Sequence, residues 1–291
     1  MPETTPITCP LCHASSTPCF MAGGYRMYRC SACRAAFVHP MPDDAALKRF
    51  YDDFHRSANQ GGWYDEIEDR MREDFPAKVA LAQRAMGRAG ASGRLIDVGC
   101  GKGFFVKACA DAGIDAIGVD LSETGVNFAK EQLKVNALHG SLHDLKPTLG
   151  TFDVATFWAT IEHLADPVGM LRDIFDILKP GGRLLCDTGI GDDWLDRLLP
   201  GVAQWYDPPQ HLFVFSRGGM MRAMEAAGFS VAHLDPAFDR TPARRIIRKL
   251  RNGTLAAGLR ISAAAGRMKP GEFPFTRYPL GNLMTVEAIK P

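Results

Sequence analysis

The chain has 291 residues, with 34 Lys and Arg against 33 Asp and Glu, and the net charge of +1 excludes a molecule whose whole surface binds nucleic acid. Its hydrophobic content of 46% is enough for a sizeable core, and the length fits one large domain beside a small one. No run of about 18 apolar residues is present to span a bilayer, the polar, Pro-rich start has no signal-peptide core, and eight cysteines without an export signal point to reduced thiols in the cytoplasm.

Residues 1–42 stand apart as a small N-terminal unit. Cys9-Pro-Leu-Cys12 is followed, seventeen residues on, by Cys30-Ser-Ala-Cys33. Two C-x-x-C knuckles at this separation bring four thiolates to one tetrahedral site, which is the ligand set of structural zinc. Cys9, Cys12, Cys30 and Cys33 are therefore the expected metal ligands, with a short hairpin between the knuckles. Four protein ligands leave no open position for catalysis. About forty residues hold too little core to fold alone, so metal would supply the folding energy.

Residues 43–90 read as amphipathic helices. Asp43–Tyr51 is one, Gly61-Gly62 marks a loop, and a charged helix runs from about Asp65 to Gly87. From residue 91 the chain alternates β and α. Leu95, Ile96 and Val98 form a short buried strand; Gly99, Gly101 and Gly103 make a tight turn; Phe104 to about Ala112 is a helix. Such a strand–glycine turn–helix lets a ligand lie against backbone, with free N–H groups at the helix start. Asp97 stands at the strand end. A second strand, Ala116–Asp120, ends in a carboxylate able to hold both hydroxyls of a ribose. Ser122 caps a helix to about Leu133, and Ala137–His139 is a third strand. Phe152–Phe157 is the fourth. Asp166 and Pro167 open a helix that ends at Leu178-Lys-Pro-Gly-Gly182, before a fifth strand at Arg183–Cys186. This alternation predicts a parallel, doubly wound sheet. Ser216 and Gly228 bound a further helix, and Phe229–Leu234 is a sixth strand.

The stretches Asp97-Val-Gly-Cys-Gly-Lys-Gly103 and Gly118-Val-Asp-Leu-Ser122, with the Leu-Lys-Pro-Gly-Gly turn, resemble class I S-adenosylmethionine-dependent methyltransferases across about residues 95–187. The four-cysteine head is similar to a subgroup in which a zinc ribbon precedes the catalytic domain, and many of its members act on sugars, glycans or natural products. The resemblance implies a Rossmann-like sheet, mostly parallel with the last strand (282–290) antiparallel to the sixth, and S-adenosylmethionine as cofactor. The acidic Asp97 suits a cationic cofactor better than it suits a dinucleotide. The division implied is a ribbon over 1–42 and a methyltransferase domain over 43–291, itself made of N-terminal helices (43–90), a cofactor core (91–236), an insertion (237–281) and a last strand (282–291).

The same resemblance assigns the cofactor to Asp97, Gly99, Cys100, Gly101, Asp120 and Leu121, with Trp158 after the fourth strand and Tyr64 on the covering helices. Its adenine contact falls at Ser141 and the Leu142 amide. Many relatives carry an acidic residue where Ser141 stands, so this contact departs from the pattern. Two histidines on segments leading to the strand ends, His163 and His211, are the candidate general bases. Some relatives that methylate quinone precursors use a Glu-x-x-Glu-His metal cluster. Ala159 replaces its first Glu here, which argues against a catalytic metal.

Residues 237–281 hold ten Lys and Arg against Asp239 and Glu272, interleaved with Ile and Leu. They read as a solvated amphipathic cap, or as a contact for a phosphate-bearing or lipid-linked acceptor, a peripheral membrane surface, or RNA. Three functions follow: O-methylation of a small molecule with a His base, RNA base methylation, and a non-catalytic cofactor-binding scaffold.

Overall fold

The computed structural model describes residues 7–43, 45–47, 49–50, 63–90, 93–192, 205–235 and 282–291, with the side chains of 63–71, 235 and 282 outside that description. The expectations for Gly61-Gly62, for the Tyr64 side chain and for the basic segment 237–281 lie outside the described residues.

The larger sheet takes its strands from β5 (Arg94–Val98), β6 (Asp115–Asp120), β7 (Asn136–His139), β8 (Phe152–Trp158), β9 (Leu178–Ile190), β11 (Ser230–Asp235) and β12 (Asn282–Ile289). Their spatial order is β11-β12-β9-β8-β5-β6-β7. The strands from β7 to β9 run parallel, and β12 is antiparallel to both β9 and β11. This is the doubly wound, Rossmann-like architecture expected from the βα alternation. Every residue of β8 is buried, as a strand covered on both faces requires.

The connecting helices form where caps and apolar spacing agree. They are α1 (Trp63–Arg88), α2 (Phe104–Asp111), α3 (Glu123–Glu131), α4 (Leu142–Leu149) and α5 (Pro167–Ile177). Ser122 accepts a hydrogen bond from the Gly125 amide and Asp166 one from Gly169, so both predicted N-caps are present. The α4 helix was not anticipated. Ser141 caps it by accepting from the Asp144 amide, and it tolerates Pro147 in its second turn. The fifth strand also starts earlier than expected: Leu178 already pairs with Phe152, and the Lys-Pro-Gly-Gly excursion is pinned by reciprocal hydrogen bonds between Gly181, Gly182 and Lys290.

The cysteine-bearing head forms a second sheet from β1 (Ile7–Thr8), β2 (Ser15–Ala22), β3 (Tyr25–Cys30) and β4 (Ala36–Val38). The expected hairpin is β2–β3. A fifth strand, β10 (Phe213–Val214), comes from far along the chain and pairs antiparallel with β4. It leads into α6 (Arg217–Ala226), capped by Ser216. The core is continuous across this junction, since Leu11, Phe37 and Val38 belong to one buried cluster with Phe213, Phe215 and Phe157.

Candidate active site

The glycine turn between β5 and α2 is the floor of the site. Gly101 holds a φ of +53°, and a Cβ added there would meet nothing within 4 Å, so the turn is open to a ligand at this residue. The Gly99 amide donates to the Val119 carbonyl at 2.8 Å, which draws the turn over β6. Asp120, ending β6, accepts from the Gly101 amide and from the Ser122 amide, both at 2.7 Å. One carboxylate therefore locks two turns and leaves further lone pairs for a ligand hydroxyl. Beside it Leu121 is 72% exposed, an apolar surface for a flat ring. The Cys100 thiol packs over Gly118, and burial pushes it up from the usual thiol range, away from a nucleophilic thiolate.

Asp97 is buried next to that turn. Burial pushes its carboxyl up to about 7, while a hydrogen bond from Thr156 Oγ1 at 2.6 Å and the Lys78 ammonium work against the rise. A buried anion held near neutrality fits a cationic ligand. Lys78, from α1, pairs with Asp187 of β9 at 2.8 Å, both being almost fully buried. Its ammonium also lies 4.5 Å from the centre of the Trp158 ring. Trp158 Nε1 is buried without a hydrogen-bond partner among the described residues. Ser141 is engaged with Asp144 in both directions, accepting from its amide at 3.1 Å and donating to its carboxylate at 2.6 Å. Of the expected adenine contacts, the Leu142 amide at the α4 start is the group not consumed by this reciprocal cap.

The two histidines meet. The rings of His163 and His211 lie 4.9 Å apart, although 48 positions separate them in the chain. His163 Nδ1 bonds the Gln210 carbonyl at 2.6 Å and His211 Nδ1 the Trp205 carbonyl at 3.0 Å. A carbonyl only accepts, so both Nδ1 atoms carry hydrogen and both Nε2 atoms present lone pairs. Burial, with His163 beside it, pulls His211 down to about 3, so it is neutral at physiological pH. Glu162 is buried, which pushes its carboxyl up, and its Oε2 has no hydrogen-bond partner among the described residues. Ligand atoms of Glu162, His163 and His211 all lie within 4.8 Å of one another, close enough to hold a cation together. This turn touches the glycine floor, because a Cβ on Gly99 would lie 2.6 Å from the Thr160 side chain.

Sequence reasoning missed Lys78, Thr156 and Asp187. A lone Lys directly before Val79 on the buried Val79, Ala82, Ala85 and Met86 stripe of α1, and an Asp directly after the apolar run Leu184–Cys186, were the available signals.

In the head, Cys9 Sγ lies 3.8 Å from Cys33 Sγ, and Cys12 Sγ lies 3.4 Å from Cys30 Sγ. All four sulfurs fall within 4.8 Å. Zinc–sulfur bonds of about 2.3 Å in a tetrahedron put sulfurs about 3.8 Å apart, so the arrangement fits that ion, with no disulfide formed. The Leu11 and Cys33 amides point at Cys9 Sγ and Cys30 Sγ at 3.4 Å, as thiolate ligands require.

A family model described as a methyltransferase domain matches residues 69–234, more than half of the chain. The chain belongs to the methyltransferase domain family. This methyltransferase is 27% identical over 210 residues to a ubiquinone biosynthesis O-methyltransferase of Aromatoleum aromaticum, covering 65% of this chain and 86% of that protein. Its fold is shared with the [4+2]-cyclase SpnF (TM-score 0.51, 21% identity, 73% of this chain and 81% of the other). It is shared also with the magnesium protoporphyrin IX methyltransferase of Synechocystis PCC 6803 with bound SAM (TM-score 0.51, 15% identity, 87% of this chain and 100% of the other). The methyltransferase is an S-adenosylmethionine-dependent enzyme, with the glycine turn, Asp97 and Asp120 as its candidate cofactor residues. No helix among its described residues is long and apolar enough to cross a membrane.

Proposed function

We propose that this enzyme methylates a hydroxyl oxygen of a small-molecule acceptor. The observation that carries the reading is the His163–His211 pair, with both Nδ1 atoms tied to carbonyls and both Nε2 lone pairs available, on a turn that abuts the glycine floor. The name of the Aromatoleum relative supports oxygen as the methylated atom. The cofactor, when bound, supplies a methyl group on a positively charged sulfur. Asp120 would hold the ribose hydroxyls, Leu121 the adenine face, and Asp97 the cationic amine. One imidazole Nε2 would take the acceptor's O–H proton, which leaves the oxygen nucleophilic toward the methyl group that the bound cofactor would supply. Cys9, Cys12, Cys30 and Cys33 would hold a structural zinc ion that takes no part in the step.

A second use of the same cluster rests on the orphan Glu162 Oε2. With His163 and His211 it offers a carboxylate and two neutral imidazoles, a donor set for a divalent cation that would bind the acceptor oxygen. The phosphate and lipid readings rest on residues 237–281, outside the described residues; the RNA reading rests on that segment and on the four-cysteine head.

The test is transfer of labelled methyl from S-adenosylmethionine into fractionated cell extract, with and without a chelator that leaves the ribbon metal in place. Label in small soluble or lipid-soluble hydroxyl compounds, insensitive to nuclease, is expected. Label that nuclease releases would establish the RNA alternative instead. Loss of transfer with the chelator would favour the cation over the base.

A further inference from the structure

The loop that carries His211 is built against the cysteine ribbon. Phe213 pairs with Phe37, and Val214 pairs with Ala36. The Val38 amide donates to the Leu212 carbonyl at 3.0 Å, and the Leu212 amide donates to the Glu162 carbonyl at 2.8 Å. A continuous path of main-chain hydrogen bonds thus leads from the ribbon to the residue before His163. Ser216 Oγ donates to the Cys33 carbonyl while capping α6, so the second knuckle and the helix start share one hydroxyl.

Close approach at two glycines leaves this contact no slack. A Cβ on Gly219 would lie 2.8 Å from Ala35 Cβ, and one on Gly23, at the β2–β3 turn, would lie 2.4 Å from the Pro208 carbonyl oxygen. Arg29 of β3 crosses the junction. Its guanidinium donates to the Tyr206 hydroxyl at 2.8 Å and to the Gly191 carbonyl at 3.2 Å. Tyr206 is fully buried and packs at a steep interplanar angle of 73° against Phe20, also from the ribbon. Residues 205–216 are therefore gripped by the ribbon at both ends and in the middle. The cofactor floor at 99–122 takes its contacts from β6, α3 and Thr160 instead.

We propose that the metal-loaded ribbon positions the acceptor side of the active site, with Arg29 as a positioning residue that fixes the 205–212 loop and hence His211. Only the importance of His211 rests on the function proposed above; the coupling itself does not. Metal in the ribbon and cofactor on the glycine turn are then separable. Emptying the four-cysteine site loosens the acceptor loop and leaves cofactor binding intact.

The experiment uses the full chain as wild type, wild type treated with a zinc chelator, Arg29→Ala and Arg29→Lys. Four quantities are read: bound zinc, cofactor affinity by calorimetry, amide exchange by mass spectrometry, and the slowly exchanging Nδ1–H signals of ¹⁵N-histidine-labelled protein. In Arg29→Ala, zinc content stays at the wild-type level and cofactor affinity stays within about twofold. Exchange across 205–216 rises at least about tenfold, and one of the two histidine signals is lost. Arg29→Lys regains part of both, because one donor still reaches Tyr206. Chelated wild type loosens the same peptides. Unchanged protection of 205–216 in both Arg29→Ala and chelated protein overturns the proposal, as does equal loosening of 94–125. If Arg29→Ala does not fold, chelated wild type decides alone. No readout needs an acceptor, so a failure to transfer methyl would sink the proposed function and leave this one standing.

Discussion

The cofactor floor and the acceptor wall meet in one site, and they are assembled in opposite ways. On the floor, Gly101, Asp120 and Ser122 find each other within about twenty residues of chain, inside one β–turn–α–β unit. On the wall, His163 finds Gln210 across 47 positions, Arg29 finds Tyr206 across 177, and Ser216 finds Cys33 across 183. A motif can encode the first kind of geometry, because the backbone itself sets the distances. The second kind exists only when separate parts of the chain have docked. The difference teaches that the reaction type is written locally, while the acceptor's identity is written in contacts that no short pattern contains.

Substitutions at Lys78, Asp120 and Asp97 bear on that contrast. The largest effect is expected from Lys78→Met. It leaves Asp187 as an uncompensated buried charge at the boundary between floor and wall, and should cost about 3–5 kcal/mol of stability, read as a fall in the denaturant midpoint. A companion Asp187→Leu should restore most of the loss. A midpoint unmoved by Lys78→Met would mean that the pair contributes nothing to the docking of α1. Next, Asp120→Ala removes the acceptor of two amides and of the proposed ribose contact. Cofactor affinity should drop by about 1–3 kcal/mol, and calorimetry showing no change would refute the assignment. Asp120→Asn, which keeps one acceptor oxygen, should lose less.

The smallest effect concerns pH. Asp97 is pushed up to about 7 by burial, so below that pH it is protonated and loses its attraction for a cationic cofactor. Affinity should rise with pH up to about 7 by at most about tenfold per unit, then level off. Asp97→Asn should flatten the profile. Stability of the cofactor-free protein should run the other way. A carboxyl raised above its unfolded value of about 4 contributes stability that is full below that value and is lost as pH rises through about 7.

The floor was legible almost residue by residue. The glycine turn, Asp120 and the Ser122 and Asp166 caps occur where spacing placed them, because each is satisfied by neighbours in sequence; Asp97 is also in place, though its partner Thr156 lies 59 positions away. The antiparallel last strand came from family resemblance rather than from any property of 282–289. Helix α4 carries Pro147 in its second turn, a residue that disfavours a helix interior, and the Ser141 cap and buried Leu142 outweigh it. Strand β10 is too short to show alternation, and pairing with the ribbon is what makes it a strand. Ala159 removes the first Glu of the metal-type pattern after β8, whereas His211 reaches Glu162 and His163 from another element, where no local pattern shows it. Both His163 and His211 were singled out, yet nothing in the sequence said that they touch.

The placement of β12 bears on how the chain is made. Asn282–Ile289 does not lie at a sheet edge but between β9 and β11, pairing with both and burying Met284, Val286 and Ala288. A nascent chain that has emerged from the ribosome only as far as residue 281 lacks the one strand that pairs with β11 among the described residues and presents an open β9 edge. The sheet therefore closes only after this last strand is released. A stalled or truncated product lacking residues 282–289 should be retained by chaperones or degraded rather than accumulate as a folded enzyme.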